Sequence, residues 1–310
     1  MKSKNRKPTI ILALTLGAPL AVISGCKKEN DLAASKQPKF VAIDFSSSKS
    51  DKAAYSTDGI KWTAASLSSD ERWKKICYGN GKFVAISGDN KAAYSDNGIK
   101  WTTTTILNNA SWEKDYKDVT GWSSICYGDG KFVAALFNLA GDSLSAYSTD
   151  GIKWTTTTMP RAQYGTGLWD ICYGNGKFIS ISGGGDYGSD EIAYSHDGIK
   201  WNTATIPITA YWSNTCYGNG KFVIIASAES DDGHHSYPSD IAIYSTDGIN
   251  WTSTKMPENE FWGSTCYGKG KFVVIVYNSN KAAYSEDGIN WKTTTIPSQA
   301  NWTDVCYGGE

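Results

Sequence analysis

Arginine and histidine are scarce in this chain of 310 residues. The arginines are Arg6, Arg72 and Arg161, and the histidines are His196, His234 and His235. A cluster of arginines that grips a carboxylate, or a metal site made of several histidines, therefore has few residues from which it could be built. Lysine does not take over the arginine role because it lacks the planar fork of donors.

Motifs that mark common catalytic and cofactor sites are also missing. The sequence has no nucleophile elbow, no phosphate-binding loop and no HExxH zinc motif. Two loops rich in acidic residues, 186–191 and 229–235, could hold a cation, but neither has the ligand spacing of a known metal loop. We therefore predict no catalytic residue, no metal and no cofactor, with a cation in one of these loops as the alternative.

Acidic residues are absent from the first 25 positions, which hold a basic segment followed by the apolar stretch 9–23. This order is typical of an export signal, and the stretch is too short for a membrane span. The residues Ile23, Ser24, Gly25 and Cys26 resemble the lipobox of bacterial lipoproteins. The resemblance implies acylation of Cys26 and cleavage before it, and several acyl chains anchor a protein stably. An ordinary secretory signal with a chance cysteine is the alternative.

Three segments follow from this interpretation. They are a lipoprotein signal peptide at 1–25, the lipidated cysteine with a polar, flexible tether at 26–38, and a globular part at 39–310. Without the signal the chain holds 26 basic and 31 acidic residues, a net charge of −5. Because nucleic acid requires a basic surface, it is not expected as a partner. We expect a monomer anchored to a membrane by lipid, in the cell envelope or at the cell surface.

The globular part is a tandem repeat that occurs six times, marked by Cys-Tyr-Gly and Ala-Tyr-Ser or closely related segments. The repeated cysteines are Cys77, Cys126, Cys172, Cys216, Cys266 and Cys306. Their spacing of 40 to 50 residues is the period of a propeller blade. Asn-Gly and Asp-Gly pairs between apolar segments predict tight hairpins, so each repeat is predicted to be a four-stranded antiparallel meander. Equivalent strands of such a ring lie too far apart for disulfides, so the cysteines are predicted to be buried thiols.

The predicted fold is all-β, a six-bladed β-propeller of four-stranded antiparallel blades. The repeat begins at Lys39 and Phe40 without a first strand, and it stops after residues 302–309 without a second strand. These two fragments complete one blade. We therefore predict that the C-terminal strand joins three N-terminal strands in that blade and closes the ring, which removes the open edges.

A Ser-x-Asp-Gly segment precedes a tryptophan in almost every repeat and resembles the Asp-box, or BNR repeat, of sialidase-like propellers. The positions equivalent to the Asp are Asp58, Asn97, Asp150, Asp197, Asp247 and Asp287. The resemblance implies a structural turn, and Asp and Ser side chains do bond to nearby backbone. Six catalytic aspartates are the rival interpretation. Sialidase activity is disfavoured because only Arg72 and Arg161 remain after the signal, and the same scarcity separates the chain from six-bladed fucose lectins.

The loops between repeats differ in length and chemistry, whereas the repeat cores barely vary. The aromatic, arginine and histidine residues of these loops are the candidate ligand-binding residues, since such side chains are frequent binding hot spots. They are Trp112, Tyr116, Arg161, Tyr164, Tyr187, His234, His235 and Tyr237. We predict a binding module for an unidentified glycan or protein. A polysaccharide hydrolase or lyase and an envelope-assembly scaffold are the alternatives.

Overall fold

The part of the chain that the structure describes is built from β-strands. The computed structural model describes residues 20–22, 40–44, 48–58, 61–107, 120–138, 144–160, 168–182, 188–229, 237–300 and 305. The strands are β1 (Leu20–Val22), β2 (Phe40–Asp44), β3 (Ser50–Ser56), β4 (Thr63–Glu71), β5 (Trp73–Gly79), β6 (Lys82–Ser87), β7 (Lys91–Ser95), β8 (Thr102–Thr105), β9 (Thr120–Gly128), β10 (Lys131–Asn138), β11 (Leu144–Ser148), β12 (Thr155–Thr158), β13 (Leu168–Gly174), β14 (Lys177–Ser182), β15 (Ser189–Ser195), β16 (Asn202–Gly218), β17 (Lys221–Glu229), β18 (Tyr237–Ser245), β19 (Thr252–Glu260), β20 (Trp262–Gly268), β21 (Lys271–Val276), β22 (Ser279–Ser285) and β23 (Lys292–Ala300). Within these ranges, no helix is long and apolar enough to cross a membrane.

Tight turns join the first two strands of each repeat. Between β5 and β6, Asn80 and Gly81 have φ angles of 47° and 77°, which is the left-handed pair that a type I′ hairpin turn requires. The turn sets the register, so that Gly79 pairs with Lys82 and Cys77 with Val84. The same register recurs in β9–β10, β13–β14, β16–β17 and β20–β21. The predicted antiparallel hairpins are therefore confirmed.

The strands form five antiparallel sheets, in which sequence neighbours are also spatial neighbours. Four sheets have four strands, β1–β4, β5–β8, β9–β12 and β20–β23, and one sheet has seven strands, β13–β19. The large sheet arises because β16 is 17 residues long. Residues 202–205 and Ala210 of β16 pair with β15, and residues 211–218 pair with β17. All-β meanders are thus present, but the count of separate sheets differs from the six that the repeat predicts.

The strand that pairs with the edge of β2 is not the C-terminal strand that the sequence predicts. Sequence periodicity assigns the C-terminal strand to this edge, whereas the structure pairs Leu20–Val22 with it. Val22 lies opposite Ala42, and Leu20 lies opposite Asp44. The physical reason is that any extended segment of the full chain can satisfy the unpaired backbone groups of a sheet edge. The flanking C-terminal residues 301–304 and 306–310 lie outside the described part of the chain.

The core lies between neighbouring sheets. The second strand of each repeat is buried on both faces, as in β6, where residues 83–87 are all buried. Val84 of β6 belongs to the same apolar cluster as Phe132 of β10 in the next sheet, and both are fully buried. A strand that is covered on both faces has apolar residues at nearly every position. This explains why polar and apolar residues do not alternate in the sequences of the second strands. The first strands β5, β9, β13, β16 and β20 contact one another in succession. We call them the inner strands.

Tryptophans that follow the Ser-x-Asp-Gly turns pack against the third strand of the preceding repeat. The Nε1 of Trp201 donates to Ser145 Oγ at 3.1 Å. At the equivalent contacts, buried Nε1 atoms of Trp154 and Trp291 have no partner in the described residues. Alanine occupies the position of Ser145 there, as Ala92 beside Trp154 and Ala242 beside Trp291.

We predict that Ala92→Ser stabilises the protein, because its hydroxyl can accept the buried N–H of Trp154. The expected gain in free energy of unfolding is about 1 kcal/mol, the net value of one hydrogen bond. Thermal denaturation followed by circular dichroism measures it. Ala93→Ser is the matched control, since Ala93 is equally buried and its side chain points to the other sheet face. An equal or lower melting temperature for Ala92→Ser than for Ala93→Ser would contradict the prediction.

Candidate functional site

The strand directions divide the molecule into two faces. Inner strands end at the Asn-Gly-type hairpin turns, and third strands end at the Ser-x-Asp-Gly turns. The two kinds of turn meet, because Asn175 Nδ2 donates to the carbonyl of Thr246 at 3.0 Å and Asn219 Nδ2 donates to that of Glu286 at 3.1 Å. We call this end the turn face. The opposite end, where the inner and third strands begin, carries the variable loops, and we call it the loop face.

Hydrogen bonds within the turn face occupy the repeated aspartates. Asp287 Oδ1 accepts from the backbone amides of Ile289 at 2.9 Å and Asn290 at 2.8 Å, and from Ser285 Oγ at 2.9 Å. The other equivalent positions with described partners repeat this pattern. Asn97 accepts from the amide of Lys100 at 2.9 Å in the same way. The turn therefore requires an acceptor oxygen rather than a charge.

The pKa values of these turn carboxylates follow from the same contacts. Burial by itself would raise the pKa of Asp247 and Asp287, but bonds from backbone amides, an asparagine and a serine outweigh it and hold both pKa values well below their usual range. Because the folded-state pKa is lower than the unfolded value, the stabilisation is present above the unfolded pKa. It is lost as the pH falls through the folded pKa.

The predicted ligand-binding residues lie mostly outside the described residues. Tyr237 is described, stands at the start of β18 on the loop face, and is 49% exposed. The positions outside the described ranges are Trp112, Tyr116, Arg161, Tyr164, Tyr187, His234 and His235, together with Cys26. The structure therefore locates one of the eight candidates and does not bring them together as a site.

Sequence reasoning missed three exposed aromatics on the loop face. Trp169 begins an inner strand, Phe261 precedes β20, and Tyr277 follows β21. Together with Tyr237 they make up four of the six large hydrophobic residues that are exposed in the described residues, the others being Trp62 and Ile99 near the turn face. Trp169 carried a signal in the sequence, because it lies one position out of phase with the tryptophans of the other repeats.

Each inner strand carries a β-bulge near its start, one residue after its buried Trp or Leu. The pairing register skips one residue there, or two in β20. The bulged residues are Lys74, Ser123, Trp169, Ser213 and Gly263, and we call them the bulge ring. Bulges re-aim a side chain and are frequent beside functional sites. They place one residue from each inner strand at the loop-face end.

Members of the bulge ring have two roles. Ser123 Oγ donates to the carbonyl of Leu168 in the next inner strand at 2.7 Å, and Ser213 Oγ donates to that of Gly263 at 3.4 Å. The serines therefore join adjacent inner strands. At Gly263 the missing side chain makes room for the ring of Tyr277, which lies 2.9 Å from the position of a Cβ atom. Lys74 and Trp169 are the two members with long side chains.

Charged groups surround Lys74 on the loop face. Burial lowers the pKa of Lys74, the nearby Arg72 lowers it further, and Asp89 opposes the shift. Asp89 is engaged with Arg72, whose Nε donates to Asp89 Oδ1 at 2.9 Å. The side chain of Lys74 also passes close to Gly88, whose absent Cβ would lie 3.3 Å from the Lys74 Cε.

Asp170 connects three inner strands beside the bulge ring. It is 5% exposed and accepts from Ser124 Oγ at 2.6 Å and from the backbone amide of Thr215 at 3.0 Å. Lys75 Nζ lies 4.0 Å from Asp170 Oδ1, so it reaches from β5 past β9 to β13. These contacts satisfy the buried carboxylate.

The inner-strand cysteines provide neither a disulfide nor a metal site within the described residues. Cys77, Cys126, Cys172, Cys216 and Cys266 remain thiols. Burial raises the pKa of Cys77 and of Cys126 well above the ordinary thiol value, which withholds the reactive thiolate. The described residues contain no group of three or more His, Cys, Asp or Glu able to hold a metal ion.

Comparisons with known proteins identify the fold but no family. No family model matches the sequence, and no curated protein matches it. A catalytically inactive virginiamycin B lyase from Staphylococcus aureus with quinupristin has a TM-score of 0.72 at 13% identity, covering 97% of this chain and 94% of that one. YCF48 from Cyanidioschyzon merolae has a TM-score of 0.59 at 10% identity, covering 92% and 89%. YCF48 bound to D1 peptide has a TM-score of 0.50 at 14% identity, covering 72% and 66%. These likenesses, together with the antiparallel meanders, show that the chain has an all-β, β-propeller fold.

Proposed function

We propose that the protein is a binding module that takes a glycan or protein ligand on its loop face. The observation that carries this proposal is the concentration of exposed aromatics there, with Trp169, Tyr237, Phe261 and Tyr277 all about 40% exposed or more. Aromatic side chains supply large contact area with few rotatable bonds, which suits binding. The turn face offers less, since its polar groups are largely used by the turns.

Three carboxylates on the loop face have partners, which favours binding over catalysis. Asp89 is held by Arg72, Asp170 by Ser124 and a backbone amide, and Glu260 by Lys281. Asp190 differs, because its buried Oδ1 has no hydrogen-bond partner among the described residues. A hydrolase or lyase requires an acid or base available to its substrate. The structural neighbours include a virginiamycin B lyase and YCF48 bound to D1 peptide, so a lyase and a scaffold that binds a peptide are the alternatives for this chain.

The binding proposal predicts that loop-face aromatics contribute to ligand capture. A glycan array with affinity capture from envelope extracts provides ligands. Trp112→Ala, Arg161→Ala and Tyr237→Ala are each expected to weaken capture by roughly 1 kcal/mol or more at unchanged melting temperature. Trp62→Ala is the matched control on the turn face. Loss of the ligand in Trp62→Ala alone would reverse the face assignment, and turnover of an arrayed polysaccharide would favour an enzyme.

We further propose that the module is an exported lipoprotein anchored through Cys26. The basic and apolar leader and the lipobox-like residues support this proposal. Cys26→Ala is expected to abolish metabolic labelling with an acyl-chain analogue and to release the protein from membranes, because the acyl chains supply the anchoring energy. Cys77→Ala is the control and should be labelled normally. Labelling that persists in Cys26→Ala would refute the anchor.

We propose that the meanders form six blades and that the C-terminal strand closes the ring in the processed protein. Val305 supports this. It is buried, and its backbone amide donates to Ser264 Oγ at 3.3 Å. Thr215 and Thr265, the residues before Cys216 and Cys266, donate in the same way to the preceding inner strand. Val305 thus occupies a position equivalent to that of an inner-strand residue next to β20. By the register of the other repeats, such a residue would lie opposite Ala42. In the full chain Ala42 pairs with Val22 instead.

Asp44 also favours replacement of the leader strand. Its Oδ1 is buried and has no hydrogen-bond partner among the described residues. In the other repeats the residue equivalent to Asp44 pairs with the Trp or Leu that starts the inner strand, as Ser87 pairs with Trp73. The equivalent residue of the C-terminal strand is Trp302.

This closure predicts a specific disulfide. Each described inner-strand cysteine lies opposite a Val or Ile of the second strand, as Cys77 lies opposite Val84. By the same register Val41 lies opposite Cys306, so Val41→Cys is expected to form a bond with Cys306 in the leader-free protein, detected by peptide mass spectrometry. Directly opposite residues of antiparallel strands have the Cα separation that a disulfide needs. Val84→Cys, which should bond with Cys77, is the positive control. A bond in the control but not in Val41→Cys would contradict closure by the C-terminus.

A further inference from the structure

We propose that Phe261, Gly263 and Tyr277 bind a neutral saccharide on the loop face, with a sugar ring stacked on the ring of the tyrosine. We call these three residues the aromatic platform. This inference rests on the proposed binding function and specifies its site and ligand class. Three features of the β20–β21 hairpin support it, namely two aromatic side chains that lie side by side, a glycine that lets the tyrosine ring lie flat, and polar groups that flank the pair.

The two aromatic residues of the platform stand opposite each other where β20 begins and β21 ends. Trp262 pairs with Val276, and the backbone amide of Tyr277 donates to the carbonyl of Phe261 at 3.0 Å in continuation of this pairing. Directly opposite residues of antiparallel strands point to the same side of the sheet, with Cβ atoms about 5 Å apart. Phe261 is 40% exposed and Tyr277 is 39% exposed. The pair therefore forms one exposed aromatic surface.

Gly263 determines how the tyrosine ring lies. A Cβ atom at this glycine would be 2.9 Å from Tyr277 Cζ, 3.0 Å from Cε1 and 3.1 Å from Cε2. Nearly equal distances to three neighbouring ring carbons place the glycine against the face of the ring rather than against its edge. The ring of Tyr277 therefore lies flat on the strand, and its exposure comes from the side that is turned away from Gly263.

The equivalent positions of the β5–β6 hairpin hold the reverse arrangement. There the amide of Gly88 donates to the carbonyl of Arg72 at 2.9 Å, and the glycine makes room for Lys74, whose Cε lies 3.3 Å from the missing Cβ. The bulge residue and the residue beyond the second strand thus share one space, and β20–β21 uses it for a tyrosine ring. Among the described pairs at these positions, both residues are aromatic in β20–β21 alone, the other pairs being Arg72–Gly88, Gly121–Phe137 and Tyr211–Ala228.

Polar side chains that suit sugar hydroxyls flank the aromatic platform. Glu260 immediately precedes the platform phenylalanine, and Lys281 Nζ donates to its carboxylate. The same ammonium donates to Glu258 Oε2 at 2.7 Å. Asn278 follows the platform tyrosine, and its carbonyl accepts from Gln299 Nε2 at 3.4 Å. Carboxylates, ammonium groups and amides all form hydrogen bonds with hydroxyl groups. An aromatic surface with a few polar groups around it is typical of small-molecule sites.

The size of this surface favours a sugar over a folded protein as the ligand. Two aromatic side chains exposed to about 40% offer roughly 150 Å² of surface. A specific protein interface takes about 800 Å² from each partner. The face of an aromatic ring is electron-rich and attracts the weakly positive C–H groups that a pyranose presents on its flat side.

The charges beside the platform favour a neutral sugar over an acidic one. Two carboxylates, those of Glu258 and Glu260, face the single ammonium of Lys281. This group of three is net negative and disfavours an anionic ligand, because like charges repel. A basic peptide is the competing ligand, since aromatic rings beside carboxylates also suit cations.

Calorimetric titration of the purified full-length protein tests the proposal. Tetrasaccharides of β-linked glucose, galactose or mannose are the neutral probes, and trigalacturonate is the acidic one. We expect at least one neutral tetrasaccharide to bind more tightly than trigalacturonate, with an affinity that added salt leaves unchanged, because the ligand forms no ion pair. Saturation-transfer NMR with irradiation of the aromatic protons should mark the C–H protons of the bound sugar.

Variants of the platform separate the presence of the ring from its orientation. Tyr277→Ala removes the ring and should weaken binding about tenfold, whereas Tyr277→Phe keeps it and should bind within about twofold of the unchanged protein. Gly263→Ser keeps the tyrosine but lifts its ring off the strand, so it should also weaken binding about tenfold. Serine occupies the equivalent bulges as Ser123 and Ser213, so the strand accommodates it. Trp62→Ala is the matched control on the turn face.

Absence of binding by all three neutral tetrasaccharides would overturn the inference, as would equal affinity of Tyr277→Ala and the unchanged protein. Unchanged affinity of a folded Gly263→Ser would contradict the stacking. Tighter, salt-sensitive binding of hexalysine would replace the saccharide with a basic peptide. If the platform variants bind arrayed ligands normally while Trp112→Ala and Arg161→Ala lose them, the loop-face function stands and the aromatic platform is the wrong site. Melting temperatures that match that of Trp62→Ala exclude misfolding as the cause.

Discussion

The close contact between a tyrosine of one inner strand and a glycine of the preceding one governs this structure. Gly79 lies against the ring of Tyr127, whose nearest carbon would be 2.0 Å from any Cβ at that position. The same contact joins Gly128 to Tyr173, and it recurs at the next two junctions. Each tyrosine also packs on the phenylalanine of its own second strand, as Tyr127 does on Phe132 with ring centroids 4.8 Å apart. A side chain at the glycine would separate adjacent sheets, so the Cys-Tyr-Gly segment must repeat nearly unchanged.

This stacking determines where function can reside. Second strands are buried on both faces, so the sheets themselves offer no surface for a ligand. At the turn face, hydrogen bonds to Asp and Ser side chains engage the polar groups that could otherwise recognise one. The loop face is under weaker constraint, because connections there need only return the chain to the next strand. The loops that differ in length, most of the exposed aromatic residues and the charged side chains that differ between repeats all lie at that end.

The bulges allow surface residues to differ between repeats while the strands that carry them stay alike. Every described inner strand breaks register at the same place, so the residue there leaves the packing of its sheet without disturbing the strand below it. Two bulges hold serines that join neighbouring strands, whereas Lys74 and Trp169 extend from the same backbone position. The side chain at the bulge can thus differ from repeat to repeat without a change in the strand that carries it. The inner-strand cysteines, by contrast, are the same in every repeat, and each packs against an apolar cluster of the core.

The sequence by itself determined the repeat unit, its strands and its turns. Gly-containing pairs force the left-handed turn angles, and apolar runs of Lys-Phe-Val type predict strands covered on both sides. Those are local properties, and the register of Cys77 with Val84 follows from the turn alone. The site could not be read in this way. Only tertiary structure decided that Trp169 is exposed, that Lys75 reaches Asp170 across β9, and that β16 runs unbroken through two meanders, because each depends on how separate strands meet in space. It also decided which segment lies on the edge of β2, since backbone hydrogen bonds at a strand edge accept any extended partner and do not select by sequence.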